Sequence, residues 1–203
     1  MRILIITGLS GSGKSVALNT LEDDDFYCVD NLPVELLPTF IQQCLKEEKP
    51  YHEKIAVGID SRAGSQSIDN LIDIVQKFKN DAIPVEVLFF TAEINTLIKR
   101  FSETRRKHPL TTNDIPLIKA IHLEKDLLSK IADYADLNID TTKTNVRQLR
   151  TLVNQVVIEK SSTDLTIILQ SFGFKHGIPN DSDFMFDVRC LPNPYWQPNL
   201  RNL

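Results

Sequence analysis

Eight residues near the amino terminus constrain this chain more than any others. Gly8-Leu9-Ser10-Gly11-Ser12-Gly13-Lys14-Ser15 matches G-x-x-x-x-G-K-[ST] at every position. A β-branched apolar run, Ile3 to Thr7, stands directly before it, and a helix-compatible segment, Val16 to Leu21, directly after. Strand, glycine loop and helix in that order are the context a phosphate-binding P-loop needs. The residue types follow from the chemistry. Gly8, Gly11 and Gly13 can open the loop, and they put no Cβ where a phosphate approaches. A helix starting near Gly13 aims free N–H groups and the positive end of its dipole at an anion. Lys14 can reach β- and γ-phosphates as a point charge, and Ser15 can place its hydroxyl on Mg²⁺. The alternative is an ordinary Gly/Ser turn that happens to hold a lysine; it has to account for every matched position and both flanks.

Composition narrows the class. With 203 residues, 42% of them hydrophobic and 25% charged, the chain can build one domain with a full core and part of a second. A net charge of −4 gives no global attraction to nucleic acid, so such a contact requires a local basic patch. Cys28, Cys44 and Cys190 are an odd set without metal-ligand spacing, which suits a reduced cytoplasm. No apolar run approaches the ~20 residues of a transmembrane helix. The apolar stretch after Met1-Arg2 is too short for a signal peptide. A cytoplasmic location is therefore the expectation.

Strand and helix signals alternate without internal repeats, so the expected fold is α/β with a mainly parallel sheet flanked by helices. Phe26 to Val29 and Ile55 to Ile59 read as short strands, and Val85 to Phe90 as a buried central one. Pro33 suits the first turn of a helix reaching about Glu48, with Leu36, Leu37, Phe40, Ile41 and Leu45 inward. Ser67 is expected to cap a helix whose apolar face is Ile68, Leu71, Ile72, Val75 and Phe78. Further helices are expected from Ala92 to about Lys107, from Ile115 to Ala135, and from Asn145 to Lys160 with Thr144 as its cap. Leu137 to Asp140 is a short strand between the last two. Lys160 to Thr163 reads as a linker, and Leu165 to Leu169 as a new strand. The division is thus 1–160 for the P-loop domain and 161–203 for the start of an incomplete second α/β domain.

Other residues are candidates for chemistry. Asp60 ends the apolar strand IAVGID, where P-loop proteins keep a carboxylate for Mg²⁺ or its water. The alternative is an Asp that caps the next turn. Ser61, Arg62 and Ala63 would line the same cleft, because ligands in open α/β sheets bind beyond the carboxyl ends of strands. Asp30 ends the preceding strand, placed either for an acceptor or water, or for capping the Pro33 helix. Lys99-Arg100 and Arg105-Arg106-Lys107-His108 cluster around Phe101. Such arginines clamp a γ-phosphate in phosphoryl transfer, with Arg105 and Arg106 the stronger candidates; the alternative is a solvated helix end. Thr142-Lys143-Thr144-Asn145 lacks the carboxylate of a guanine-reading loop, so base preference stays open. Lys175-His176 reads as a loop contact of the second domain.

Four motifs, GLSGSGKSVAL, FYCVDNLP, FSETRRKHPL and SFGFKHGIP…FDVRCLPNP, run along essentially the whole chain. Together they resemble the RapZ/YvcJ family of P-loop nucleotide-binding proteins, also called RNase adapter proteins. The first motif is generic; the other three are specific. The resemblance implies a kinase-like P-loop domain that binds ATP and GTP with Mg²⁺ and hydrolyses them weakly. It implies that Gly8, Leu9, Ser10, Gly11, Ser12, Gly13, Lys14 and Ser15 form the ATP loop, and that Asp60, Ser61, Arg62 and Ala63 form the segment assigned to GTP. Ser15 and Asp60 are the expected metal contacts, and Lys14, Asp60, Arg105 and Arg106 the expected catalytic groups. In the enterobacterial branch the family binds a small regulatory RNA, presents it to an endoribonuclease and so tunes amino-sugar synthesis.

Two departures from the family pattern matter. Asp25 stands before Phe26 where the family usually has Gly, so a strained left-handed helix end is expected. The chain stops at Leu203, short of the family's CTGGKHRS-like phosphate or sugar site and basic RNA-binding tail. Weakened contact with RNA and the endoribonuclease is the expectation. Three readings stay open: a nucleotide-binding regulator with slow ATP/GTP hydrolysis, a small-molecule or nucleotide kinase using Asp30 and the arginines, and an RNA adapter whose nucleotide site sets conformation. No membrane partner is expected, and self-association into a homo-oligomer is left open.

Overall fold

The apolar run before the glycine loop is the middle strand of the sheet. In the computed structural model, which describes residues 1–45, 53–60, 64–158, 171–176, 178, 182 and 184–191, β1 (Arg2–Gly8) is flanked by β3 (Lys54–Gly58) and β4 (Val85–Thr91). The edges are β2 (Tyr27–Val29) and β5 (Leu137–Asp140), giving the order β2-β3-β1-β4-β5 with every pairing parallel. Ile5 of β1 sits opposite Val57 on one side and Val87 on the other.

Strand alternation sends the side chains of β1 into two separate cores. Ile3 and Ile5 join Val57 and Val87 in a layer closed by α2 (Leu37–Leu45), α3 (Gly64–Asn80), α4 (Ile94–Thr104) and α5 (Leu117–Tyr134). Leu4 and Ile6 join Leu88 and Phe90 in a layer closed by α1 (Lys14–Glu22) and α6 (Val146–Val153). All four β1 side chains are fully buried, each contributing about 1.5–3 kcal/mol relative to exposure. Burial on both faces is why the run Ile3 to Ile6 carries no polar residue.

The end of α1 shows what Asp25 does. The Phe26 N–H donates to the Leu21 carbonyl at 3.0 Å, and the Asp25 N–H to the Glu22 carbonyl at 3.2 Å. That is the Schellman pattern, and it needs a left-handed residue, here Asp25 at φ 64°. Phe26 then packs into the same core as Leu21. The chain thus turns directly from α1 into β2 with a non-glycine residue in a glycine conformation.

Several boundaries differ from expectation. The Pro33 helix begins as a 3-10 turn, Val34–Leu36, before α2, and Leu36 and Leu45 are exposed rather than inward. Residues 46–48 lie outside the described residues. Ser67 is inside α3, which starts at Gly64; its hydroxyl donates to Glu35 at 2.9 Å. The basic helix stops at Thr104, because Arg105 turns left-handed at φ 52°, and α5 starts at Leu117, after Pro116. The cap of α6 is Asn145, not Thr144: its side chain accepts from the Gln148 N–H and Gln148 answers on the Asn145 N–H, both at 2.9 Å. Past Val153 the chain widens into a π-helical turn, Asn154–Ile158. The strand expected at Leu165 to Leu169 lies outside the described residues.

The chain divides into two compact units, Met1–Ser171 and Phe172–Leu203. The elements above belong to the first. In the second, short 3-10 turns form at Phe174–His176 and Val188–Cys190. The Arg189 guanidinium lies 4.0 Å over the Phe174 ring. Its hydrogen bonds to Asp187 hold that carboxyl down to about 2.

Replacing Asp25 by Gly removes the left-handed strain, partly offset by greater freedom of the unfolded chain. The expected gain is about 0.5–1 kcal/mol. It is read as a higher urea midpoint at unchanged slope; an unchanged or lower midpoint contradicts it.

Candidate functional site

The site begins where β1 stops being a strand. Gly8, Gly11 and Gly13 adopt φ values of 132°, 83° and 106°. At Gly8 the backbone passes so close to β4 that a Cβ would lie 2.0 Å from the Phe90 carbonyl oxygen. Gly13 is the residue before α1, and a Cβ there would come within 2.5 Å of Leu149. The first bonds of the helix run from the Val16 and Ala17 N–H groups to the Gly13 carbonyl, at 3.0 and 3.1 Å. The Lys14 and Ser15 N–H groups are therefore left over by the helix, at its positive end. Ser12 closes the loop from inside: its hydroxyl donates to the Leu9 carbonyl at 2.6 Å, and Leu9 is buried beneath.

Lys14 lies back along the loop, its Nζ donating to the carbonyls of Gly8 at 2.7 Å and Leu9 at 3.1 Å. Burial holds its pKa below the usual lysine value, opposed by the negative charges of Glu124, Asp60 and Asp30. Glu124 of α5, Asp60 after β3 and Asp30 after β2 thus act by charge on one ammonium at the carboxyl end of the sheet. Ser15 is exposed beside it.

Asp60 is half-buried two residues beyond β3, where the Ile59 N–H is fixed to the Ile6 carbonyl at 2.9 Å. Ser61, Arg62 and Ala63 lie outside the described residues. Asp30 does not cap the Pro33 turn, which has no side-chain cap. Its carboxylate lies over the end of β3, where a Cβ on Gly58 would come within 2.6 Å of Oδ1. Among the described residues no group of three His, Cys, Asp or Glu could hold a metal. Ser15 and Asp60 instead offer single hard oxygens at the same end of the sheet. That set fits Mg²⁺, which takes one or two protein oxygens and fills its other positions with phosphate and water.

The basic run separates into different environments. Lys99, Arg105, Arg106 and Lys107 are exposed, and Lys99 faces Glu103 at 3.9 Å one turn on. Arg100 is half-buried. Its guanidinium donates to the Gly11 carbonyl at 3.0 Å, to the Thr141 hydroxyl and carbonyl at 2.9 and 2.6 Å, and to the Thr144 carbonyl at 3.3 Å. It therefore braces the P-loop against the segment that follows β5, and Thr141 Oγ1 reinforces that join by donating to the Ser12 carbonyl at 2.7 Å.

His108 is buried, and so is the residue it meets, Glu124 of α5. Glu124 accepts from the Ser10 N–H at 2.8 Å and the Ser10 hydroxyl at 2.6 Å, and pairs with His108 Nε2 at 3.1 Å. Sequence reading missed Glu124, yet it left a signal. It stands in the apolar stripe Ala120, Ile121, Leu128, Ile131, where a carboxylate breaks the core periodicity of the helix.

Known proteins resemble the chain along its full length. Residues 1–161 match the family described as the RapZ-like N-terminal domain, and residues 165–203 the one described as the RapZ C-terminal domain. A nucleotide-binding protein of Thioalkalivibrio sulfidiphilus is 51% identical over 203 residues, covering all of this chain and 71% of the relative. One from Methylococcus capsulatus is 51% identical over 201 residues, covering 99% and 68%. A shikimate kinase of Bacteroides thetaiotaomicron shares the fold at a TM-score of 0.51 and 11% identity, over 77% of this chain and 98% of that one. The Acinetobacter baumannii shikimate kinase, solved with shikimate, gives 0.50 at 10% identity, over 78% and 93%. The fold is thus that of the P-loop kinases, and by sequence the chain belongs to the RapZ family.

Proposed function

We propose that this protein binds ATP and GTP with Mg²⁺ through the Gly8 to Ser15 loop, hydrolyses them slowly, and uses the bound nucleotide to regulate rather than to run a metabolic step. One observation carries the reading: three glycines at positive φ put the N–H groups that start α1 beside a single lysine ammonium. That arrangement suits a polyphosphate and little else. Relatives bearing the name nucleotide-binding protein support it.

The roles follow from charge and position. Lys14 leaves the Gly8 and Leu9 carbonyls to pair with β- and γ-phosphate oxygens. Ser15 and Asp60 hold Mg²⁺, which would neutralise phosphate charge when bound. Arg105 and Arg106, exposed just past α4, neutralise charge developing on the γ-phosphate. Asp60 to Ala63 form the segment that the family resemblance assigns to GTP. The wider role we propose, on the family resemblance, is that of an RNase adapter: contact, weakened in this chain, with a small regulatory RNA and an endoribonuclease, bearing on amino-sugar synthesis. A homo-oligomer and a cytoplasmic site of action belong to the same proposal.

A kinase reading has one observation in its favour. Asp30 gives the Pro33 turn no side-chain cap and lies within electrostatic reach of Lys14, where an acceptor hydroxyl would be held. Radiolabelled γ-phosphate separates the two: release as free phosphate supports the regulator, and label on an acceptor supports the kinase.

Lys14→Ala removes the ammonium without disturbing either core. The expected loss is about 1.5–3 kcal/mol of nucleotide binding, roughly 10- to 150-fold in Kd, with an unchanged circular dichroism spectrum. Equal binding by wild type and variant contradicts the P-loop assignment. Arg105→Ala is expected to slow hydrolysis by roughly 10-fold or more while Kd moves less than about 3-fold. Equal losses in rate and affinity would make Arg105 a ground-state contact.

A further inference from the structure

The carboxylate of Glu124 has no exposure, and neither has the imidazole of His108. A buried carboxylate is costly unless donors replace its water, and an apolar residue of similar size would avoid the cost. Here three donors converge on it: the Ser10 N–H, the Ser10 hydroxyl and His108 Nε2. The imidazole is oriented in turn. The Leu110 N–H donates to His108 Nδ1 at 3.2 Å, so Nδ1 carries the lone pair and the ring hydrogen sits on Nε2, facing Glu124. The His108 ring packs on Phe101 with centroids 5.2 Å apart, and the Phe101 edge lies under the P-loop, 3.2 Å from where a Gly11 Cβ would be.

One carboxylate thus joins three parts of the chain. Ser10 belongs to the P-loop, Glu124 to α5, and His108 to the connection from α4 to α5. That connection begins with Arg105 and Arg106. Full burial makes these bonds directional and hard to exchange. We propose that Glu124 and His108 are positioning residues of the nucleotide site. They set Ser10 in the loop and hold the arginine-bearing connection in register with it, so that the arginines meet the γ-phosphate of a bound nucleotide. Neither residue touches the nucleotide. Their effect falls mainly on the rate of γ-phosphate cleavage, while the Lys14 and Ser15 amides that give affinity stay in place; Glu124 also acts on the Lys14 ammonium through its charge. The inference rests on the nucleotide reading above and deepens it.

The test uses the full chain with Mg²⁺ as wild type, Glu124→Gln, His108→Phe and His108→Gln. Three quantities are measured: Kd for a non-hydrolysable ATP analogue, the single-turnover rate of ATP hydrolysis, and the ¹H shift and exchange protection of the Ser10 amide. His108→Phe is expected to slow hydrolysis by roughly 10-fold or more while Kd changes less than about 3-fold; Glu124→Gln, which also removes a negative charge acting on Lys14, is expected to slow hydrolysis by more than it changes Kd. The Ser10 amide is expected to move upfield and lose protection in Glu124→Gln. His108→Gln, whose terminal amide can replace the Nε2 donor, is expected to recover part of the rate that His108→Phe loses. Wild-type rates in all variants, proportional losses of rate and affinity, or no advantage of Gln over Phe at 108 would each overturn the inference. If Glu124→Gln does not fold, the 108 pair decides. A wild type that neither binds nor hydrolyses nucleotide overturns the functional reading together with the inference; a wild type that turns over alongside equally active variants overturns the inference alone.

Discussion

At Gly8 there is no room for a side chain: a methyl would sit 2.0 Å from the Phe90 carbonyl oxygen. The rest of the molecule is arranged around that contact. β1 ends there in register with Phe90, the Leu9 N–H bonds the same carbonyl at 2.9 Å, and the chain bends away from the sheet into a loop that only positive φ values can complete. The bend delivers α1 with its first N–H groups pointing over the carboxyl end of the sheet. Substituting Gly8 would therefore displace β1 from β4 before it altered any ligand contact.

A loop of three glycines is entropically costly to hold in one shape. The protein holds it from two sides with charged groups. Arg100 fixes Gly11 to the segment after β5, and Glu124 fixes Ser10 to α5. Beneath it, Leu9 and Phe101 fill the core. These clamps leave the Lys14 and Ser15 amides uncommitted, and they hold a flexible sequence in one preorganised shape, as the proposed anion cradle requires. Lys14 occupies backbone carbonyls in the meantime, so its charge stays compensated while it remains available.

Much of this was legible in the sequence because the signals are local. Strand, glycine loop and helix follow within the first twenty-two residues, and β5 appears at its expected bounds because Leu137 to Asp140 lies between the end of α5 and the Thr142-Lys143 turn. Asp25 takes the left-handed cap that its place before Phe26 required. Helix starts were harder. Ser67 reads as a cap, but α3 begins one turn earlier, at Gly64. Asn145 wins over Thr144 because Gln148 completes a reciprocal capping box. Least visible were the long-range groups. A run of cations such as Lys99 to His108 says nothing about which member turns inward, and tertiary packing alone separates Arg100 and His108 from their exposed neighbours. Glu124 is the exception that left a trace, a charge in an apolar stripe.

On the proposed function, the uncommitted amides at the start of α1 are the seat of a polyphosphate. Backbone ¹H–¹⁵N spectra recorded while Mg²⁺ and ATP are added test it most directly. The Gly13, Lys14 and Ser15 amides are expected to shift downfield together and saturate with a single Kd. Saturable binding that leaves those three resonances in place while others move would contradict it.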